Sequence, residues 1–223
     1  MARGNIFKTY SEAYDKVLRY TKAHVTMLNL AVHYLHGRKR VLNLCSGTGL
    51  LEERFIGLDA RIVSMELEPD MLQYAQSKFL DEDNIHTAQG DAHTLPYGKA
   101  EFDGVAIING LYCVEDPRKV LRSVRRVIKP GSPLIITGPL KGADFGVISS
   151  KMRQHFTNTG MLDYLDKYQE IVEHANGVLL SDNKNHFFDI DEVENLLEEV
   201  GFNDIKASRN DLYYGNAYFV VAV

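Results

Sequence analysis

The residues of this 223-residue chain best placed to do chemistry are a short glycine loop and a single acid. Gly47-Thr48-Gly49 follows the apolar run Arg40-Val41-Leu42-Asn43-Leu44, and Glu66 stands 19 residues after Gly47, at the end of Arg61-Ile62-Val63-Ser64-Met65-Glu66. Glycines between a strand and a helix let the backbone turn tightly and come close to a ligand. An acid at the end of the next strand can accept both hydroxyls of a ribose diol. The pair therefore points to a nucleoside ligand; the bland alternative is a tight turn and a solvated Glu. A dinucleotide fingerprint wants Gly or Ala three residues after the second glycine. Glu52 stands there instead, bringing bulk and negative charge, which argues against NAD or FAD. No Gly-Lys-Ser/Thr occurs, so a P-loop is excluded as well. A nucleoside without phosphates fits best.

These residues need elements to hold them. Residues 5–36 read as helical, with Tyr10, Tyr14 and Val17 as one stripe and Val25, Leu28, Val32 and Leu35 as another. Strands are expected at 40–44, 61–66, 84–88, 102–108, 134–137 and 217–223. Pro69 opens one helix with Met71, Leu72, Ala75 and Phe79 inward, and Asp116-Pro117 caps another that buries Val120, Leu121, Val124, Val127 and Ile128. Asp189 and Glu192 suit a capping box, with Gly201 at the far end of that helix. Alternating strands and helices imply an α/β, doubly wound, mostly parallel seven-stranded sheet. Residues 140–186 break the alternation as two helices without a strand. The expectation is one domain, 1–223. It comprises a helical extension (1–38), a cofactor-binding core (39–139), a helical insertion (140–186) and a C-terminal helix with strands (187–223).

Composition sets the outer bounds. Hydrophobic residues make up 45% and charged residues 25%, which excludes disordered, collagenous and coiled-coil chains. A net charge of −5 argues against binding nucleic acid by overall charge. No apolar run approaches the roughly 20 residues of a membrane span. The N-terminus lacks a signal peptide's apolar core, so a cytoplasmic protein is expected. Two cysteines, Cys45 and Cys113, are too few for a disulfide framework or a zinc site, and no metal is expected.

The motifs, in order, resemble the class I S-adenosylmethionine-dependent methyltransferases. The resemblance runs over Val41–Gly49, Glu66–Leu72, Gln89–Tyr97, Glu101–Val105, Arg126–Gly131 and Glu198–Phe202. The stretch Gly110-Leu111-Tyr112-Cys113-Val114-Glu115-Asp116-Pro117 is similar to the quinone-biosynthesis C-methyltransferases. The resemblance implies a Rossmann-like methyltransferase fold and S-adenosylmethionine as cofactor, with S-adenosylhomocysteine as product. It implies that Glu66 holds the ribose, Asp91 accepts from the adenine amino group, Ala92 donates its N–H to the ring and Leu67 packs on the adenine. Asn43, Cys45, Ser46, Gly47 and Gly49 would run along the methionine part, with Asn109 near the sulfonium. The family usually has an acid where Asn43 stands and glycine where Cys45 stands. A side chain at position 45 is expected to need a negative φ.

The implied chemistry is in-line attack on a sulfonium methyl, to which the protein contributes position and desolvation. Tyr112, His93 and Tyr14 are the candidate catalytic side chains, with Tyr10 beside them. Tyr14 would also close over the cofactor by a cation–π contact. The alternatives are helix packing for Tyr10 and Tyr14 and a solvated loop histidine for His93. The insertion is expected to form a lid over a small-molecule acceptor, lined by His155, Phe156, Tyr164, Tyr168 and His174. Asp163, Asp166, Glu170 and Glu173 read as a solvated face, or as an acidic wall selecting an amine. Competing readings are an RNA or protein methyltransferase using Arg118, Lys119, Arg122, Arg125 and Arg126, a non-catalytic cofactor-binding scaffold, and a transferase using another part of the cofactor. Oligomeric state stays open, a homodimer among the options.

Overall fold

The computed structural model describes residues 3–180 and 184–223; Met1, Ala2 and residues 181–183 of the expected insertion lie outside the described residues. The chain opens with α1 (Arg3–Tyr20) and α2 (Lys22–Leu35). The single helical stretch expected over 5–36 is broken at Thr21, whose backbone is extended and whose hydroxyl donates to the Val17 carbonyl. Then follow β1 (Arg40–Leu44), β2 (Arg61–Glu66), α3 (Pro69–Lys78), β3 (Ile85–Gln89), β4 (Gly104–Ile108), α4 (Pro117–Val127) and β5 (Leu134–Pro139). The expected insertion is α5 (Phe145–Asn158) and α6 (Leu162–Leu180), and the chain ends through α7 (Ile190–Glu199), β6 (Ile205–Asp211) and β7 (Ala217–Ala222). Among the described residues no helix is long and apolar enough to cross a membrane.

Sequence chemistry sets the boundaries. Pro69 occupies the first turn of α3, where its missing N–H is no loss. The Asp116 carboxylate accepts from the Lys119 N–H and caps α4, and Asp144 does the same for α5 toward Val147. The Asp189–Glu192 capping box is present at α7, where Glu192 accepts from the Asp189 N–H. Two features escaped the sequence pattern. β6 is almost wholly polar and exposed, and lacks the alternation that marks a half-buried strand. The turn Leu212–Gly215 is left-handed, with Tyr213 (φ 48°) and Tyr214 (φ 62°) in a region that tyrosine rarely enters.

The sheet has seven strands in the order β3-β2-β1-β4-β5-β7-β6. β1 to β5 run parallel; β7 is antiparallel to β5, and β6 to β7. The order reverses between β1 and β4, so a crevice opens at their carboxyl ends. Alternate strand residues face two cores. Leu42, Leu44, Val105, Ile107, Leu134 and Ile136 meet α4 and α7 on one side. Val41, Ile62, Ala106 and Ile135 meet α2 and α3 on the other. A third cluster joins Tyr10, Ala13 and Val17 of α1 to Met152 and Phe156 of α5 and Leu165, Val172 and Ala175 of α6. The inserted helices are thus the packing partner of α1.

Candidate functional site

A cavity of about 400 Å³ lies at the β1/β4 switch point. That is within the range of small-molecule sites. It is lined by Asn43, Cys45, Ser46, Gly47, Glu66, Leu67, Asp91, Ala92, His93, Asn109, Tyr112 and Tyr14, each a residue singled out from sequence. Gly49 is the exception. Its φ is 80°, and a Cβ there would come within 2.5 Å of the Phe79 ring. Its glycine is required by packing against Phe79 of the α3 terminus, and it does not line the cavity. The expected helix after the loop is a single 3-10 turn, Glu52–Phe55.

Backbone geometry explains the two unusual residues at the strand ends. Cys45 has φ 53° and Asn109 has φ 52°, so the expectation of a negative φ at Cys45 is wrong. The left-handed region is open to a small side chain at a cost of order 1–2 kcal/mol. Room for that side chain comes from Gly110, where a Cβ would lie 2.5 Å from the Cys45 Cβ. Asn109 tolerates its conformation better, as asparagine does. Its N–H donates to Thr137, and the Thr137 hydroxyl donates to its Oδ1. Burial pushes the Cys45 thiol well up, so it is an inert neutral group, and both cysteines are free thiols.

Glu66 sits in a nest of backbone donors. Oε2 accepts from Gly47 N–H at 2.7 Å, and Oε1 accepts from Leu67 and Glu68 N–H at 2.8 and 2.9 Å. The carboxylate has about four lone-pair sites, so one remains to accept from a ligand hydroxyl. Its charge also pins the glycine loop to the end of β2. Leu67 is 57% exposed beside it, an apolar surface offered to a flat ring. Asp91 Oδ1 accepts from the His93 N–H at 2.9 Å and meets His93 Nδ1 at 2.5 Å. Those bonds, the backbone N–H first, hold the Asp91 carboxyl below the usual range. Among the described residues its Oδ2 has no partner, which suits accepting from a ligand amino group.

His93 is less available than the sequence suggests. Its Nε2 accepts from the Asp116 N–H at 3.0 Å, so in the neutral ring the proton is on Nδ1, facing Asp91. Neither nitrogen is free to take a proton from an acceptor. Tyr14 and Tyr112 are driven well above the ordinary phenol range, by burial first and by the neighbouring Cys113 second. Both hydroxyls are neutral donors at physiological pH. Tyr112 stacks on Phe187, with centroids 5.6 Å apart, and its carbonyl accepts from the His186 N–H. Tyr10 donates to Asn176 Oδ1 of α6 and lies 5.2 Å from the Tyr14 ring.

The expected lid residues do not line the cavity. Phe156 is fully buried under α1, Tyr164 edges onto Tyr20, and the His155 ring meets the Tyr20 carbonyl. Asp163, Asp166, Glu170 and Glu173 are exposed and form no wall to the cavity. Among the described residues of that region, Lys184 and Asn185, just beyond α6, reach the cavity. These two and His24 were missed because contacts across more than 70 residues leave no local pattern. His24 of α2 bonds Tyr213 Oη at 2.7 Å and is lowered to about 3 by burial, so it is neutral. The basic face of α4 is largely engaged within the chain. Arg118 pairs with Glu199, Arg125 donates to the Gly201 carbonyl, and Arg126 donates to those of Leu95 and Tyr97. Among the described residues no cluster of three or more His, Cys, Asp or Glu could hold a metal ion.

The cavity fits a nucleoside with an amino-acid tail on this chain's own terms. Gly47 (φ 58°) has open space where a Cβ would stand, so backbone faces the ligand. Ser46 Oγ and Asn43 Oδ1 are buried without partners at the cavity wall, which a polar ligand would relieve.

Comparison with known proteins finds likenesses to methyltransferases. Residues 42–136 match the family described as "Methyltransferase domain". That stretch carries β1 to β5, and its match is to the methyltransferase-domain family. Among relatives, the ubiquinone/menaquinone biosynthesis C-methyltransferase of Hahella chejuensis is 33% identical over 121 residues, 49% of each chain. The match thus spans about half the length of that curated relative. The demethylmenaquinone methyltransferase of Lactiplantibacillus plantarum is 25% identical over 96% of this chain and 93% of its own. A crystal structure described as a SAM-dependent methyltransferase, possible histamine N-methyltransferase, from Thermotoga maritima shares the fold. Its TM-score is 0.68 at 18% identity, covering 99% of both chains.

Proposed function

We propose that this chain binds S-adenosylmethionine in the switch-point cavity and directs its methyl group to a small-molecule acceptor, at carbon. The observation that carries the reading is the make-up of the cavity wall. The strand-end residues Glu66, Asp91, Ser46 and Asn43 offer acceptors to a nucleoside and its tail, and Tyr10, Tyr14 and Tyr112 face them with aromatic surface. When bound, the cofactor supplies an electrophilic sulfonium methyl. Glu66 takes the ribose, Asp91 Oδ2 the adenine amino group, and Leu67 the ring face. Tyr10 and Tyr14 exclude water and offer π-faces to positive charge.

The side chains also limit the acceptor. Tyr14, Tyr112 and Cys45 keep their protons, His93 has both nitrogens engaged, and His24 is a weak base. None of these five is a strong general base, which favours an acceptor that arrives already nucleophilic. An electron-rich ring carbon of a phenol or hydroquinone meets that condition, in keeping with the named C-methyltransferase relatives. The engaged arginines of α4 speak against RNA as the acceptor. The test is product mass spectrometry after incubation with S-adenosylmethionine and a panel of phenols, hydroquinones, amines and thiols. A hydroquinone that gains one CH₂ on a ring carbon is the expected result. Methylation of amines alone, or tight cofactor binding with no turnover on any acceptor, would overturn it.

A further inference from the structure

Glu52 invites an explanation that the cavity alone does not give. It is completely buried, yet it does not line the cavity. The sequence pattern read it as charge and bulk against a ligand; the fold turns it the other way, under β1 and β2. Its Oε1 accepts from Asn43 Nδ2 at 2.8 Å and from the Ser64 hydroxyl. Asn43 and Ser64 are partners in register across β1 and β2, so their side chains share one face of the sheet. Asn43 is 2% exposed and lines the cavity, and its Oδ1 has no partner.

An asparagine amide can present either its oxygen or its NH₂. Here Oε1 of Glu52 accepts from Nδ2 and from the Ser64 hydroxyl, so it holds the NH₂ end and leaves the amide's other end as an oxygen. An orphaned buried acceptor is unfavourable unless something donates to it. We propose that Glu52 is a positioning residue that locks Asn43 with its oxygen toward the cavity, and that this oxygen selects the α-ammonium group of the cofactor's amino-acid tail. This rests on the cofactor reading above. It also gives a physical role to an amide where the resembling family usually has an acid. The carboxyl stands one hydrogen bond behind the wall instead of in it.

The test is the ratio of affinities for S-adenosylhomocysteine and for its analogue with hydrogen in place of the α-amino group, by calorimetric titration. The native protein is expected to favour the amino compound by about tenfold, the scale of one charge-assisted hydrogen bond. Glu52→Met keeps the length of the side chain but accepts from neither neighbour, and should bring the ratio close to one. Glu52→Gln, which can still accept at Oε1, should keep most of it. Asn43→Asp in the Glu52→Met background offers oxygen at both ends and should recover it. Where a Glu52 variant does not melt cooperatively, Asn43→Leu in the native background carries the test and must lose the preference. An unchanged ratio in folded Glu52→Met or in Asn43→Leu overturns the proposal. Failure of the native protein to bind either compound instead overturns the cofactor reading.

Discussion

The two sides of the cavity are made from different material. On the strand side, Asn43, Cys45, Glu66 and Asn109 sit at or just beyond the ends of β1, β2 and β4, and backbone N–H groups hold the key carboxylate. On the helix side, Tyr10 and Tyr14 ride on α1, and Lys184 and Asn185 come from the segment after α6. The first side is fixed by parallel pairing in the centre of a sheet. The second is attached mainly through side chains, with the segment after α6 also tied by the His186 N–H to the Tyr112 carbonyl. Asp15 of α1 is fully buried and pairs with Arg19 at 2.7 Å and Lys78 at 2.5 Å, while Lys78 also donates to the Thr48 carbonyl of the glycine loop. A rigid binding edge and a separately attached aromatic wall allow ligand grip and acceptor choice to be set by different residues.

The contrast can be broken most forcefully at that attachment. Arg19→Met with Lys78→Met would leave Asp15 buried and unpaired, a loss of about 3 kcal/mol or more of stability. Thermal unfolding and trypsin sensitivity of α1 should both report it. Adenosine affinity should fall far less than turnover, because the proposed site takes adenosine on the strand side. A smaller loss is expected on the strand side from Gly49→Ala, which combines a positive φ with a clash against the Phe79 ring. About 1–3 kcal/mol is expected from denaturant melts, with ligand affinity retained in the folded fraction.

Tyr112→Phe sharpens the comparison on the acceptor side. Its hydroxyl is a neutral donor, so the variant should lose less than about tenfold in kcat/KM and leave the pH profile unchanged across neutral pH. A lost basic limb in that profile would make Tyr112 a proton acceptor after all. The smallest effect concerns Glu52, whose carboxyl is raised by burial, against the pull of Ser64 and Asn43. A carboxyl raised on folding holds its proton longer in the native state, so stability falls as pH climbs through the ordinary Glu value of about 4.3 toward the raised one. Glu52→Gln lacks that loss. Its melting temperature relative to the native protein should therefore be higher at neutral pH than near pH 4.

The same division separates what could be read from the sequence from what could not. Strand-end chemistry is local: a short apolar run, a glycine turn and an acid at the next strand's end are neighbours in sequence. β1 and β2 stand at the expected residues, and Glu66, Asp91 and Asn109 stand at the cavity. Gly49 looked like part of that grip because a glycine's reason, backbone approach or packing, does not show in its type. The helix side depends on contacts between α1, α6 and the segment beyond it, and periodicity cannot say which face meets what. His155 and Tyr164 therefore looked like a lining and instead meet Tyr20 of α1, while His174 is exposed. Glu52 was legible as an anomaly, but its partner across the sheet was not. β6 was missed because an exposed polar edge strand carries no period.

Calorimetric titration of S-adenosylhomocysteine into the native protein and into Glu66→Ala tests the central claim most directly. The native protein is expected to give a binding isotherm that weakens by about 2 kcal/mol in the variant, since the charge-assisted hydrogen bond to the ribose is lost together with the carboxylate that pins the glycine loop. Equal affinity in a folded Glu66→Ala, or no binding to native protein freed of carried-over ligand, would contradict it.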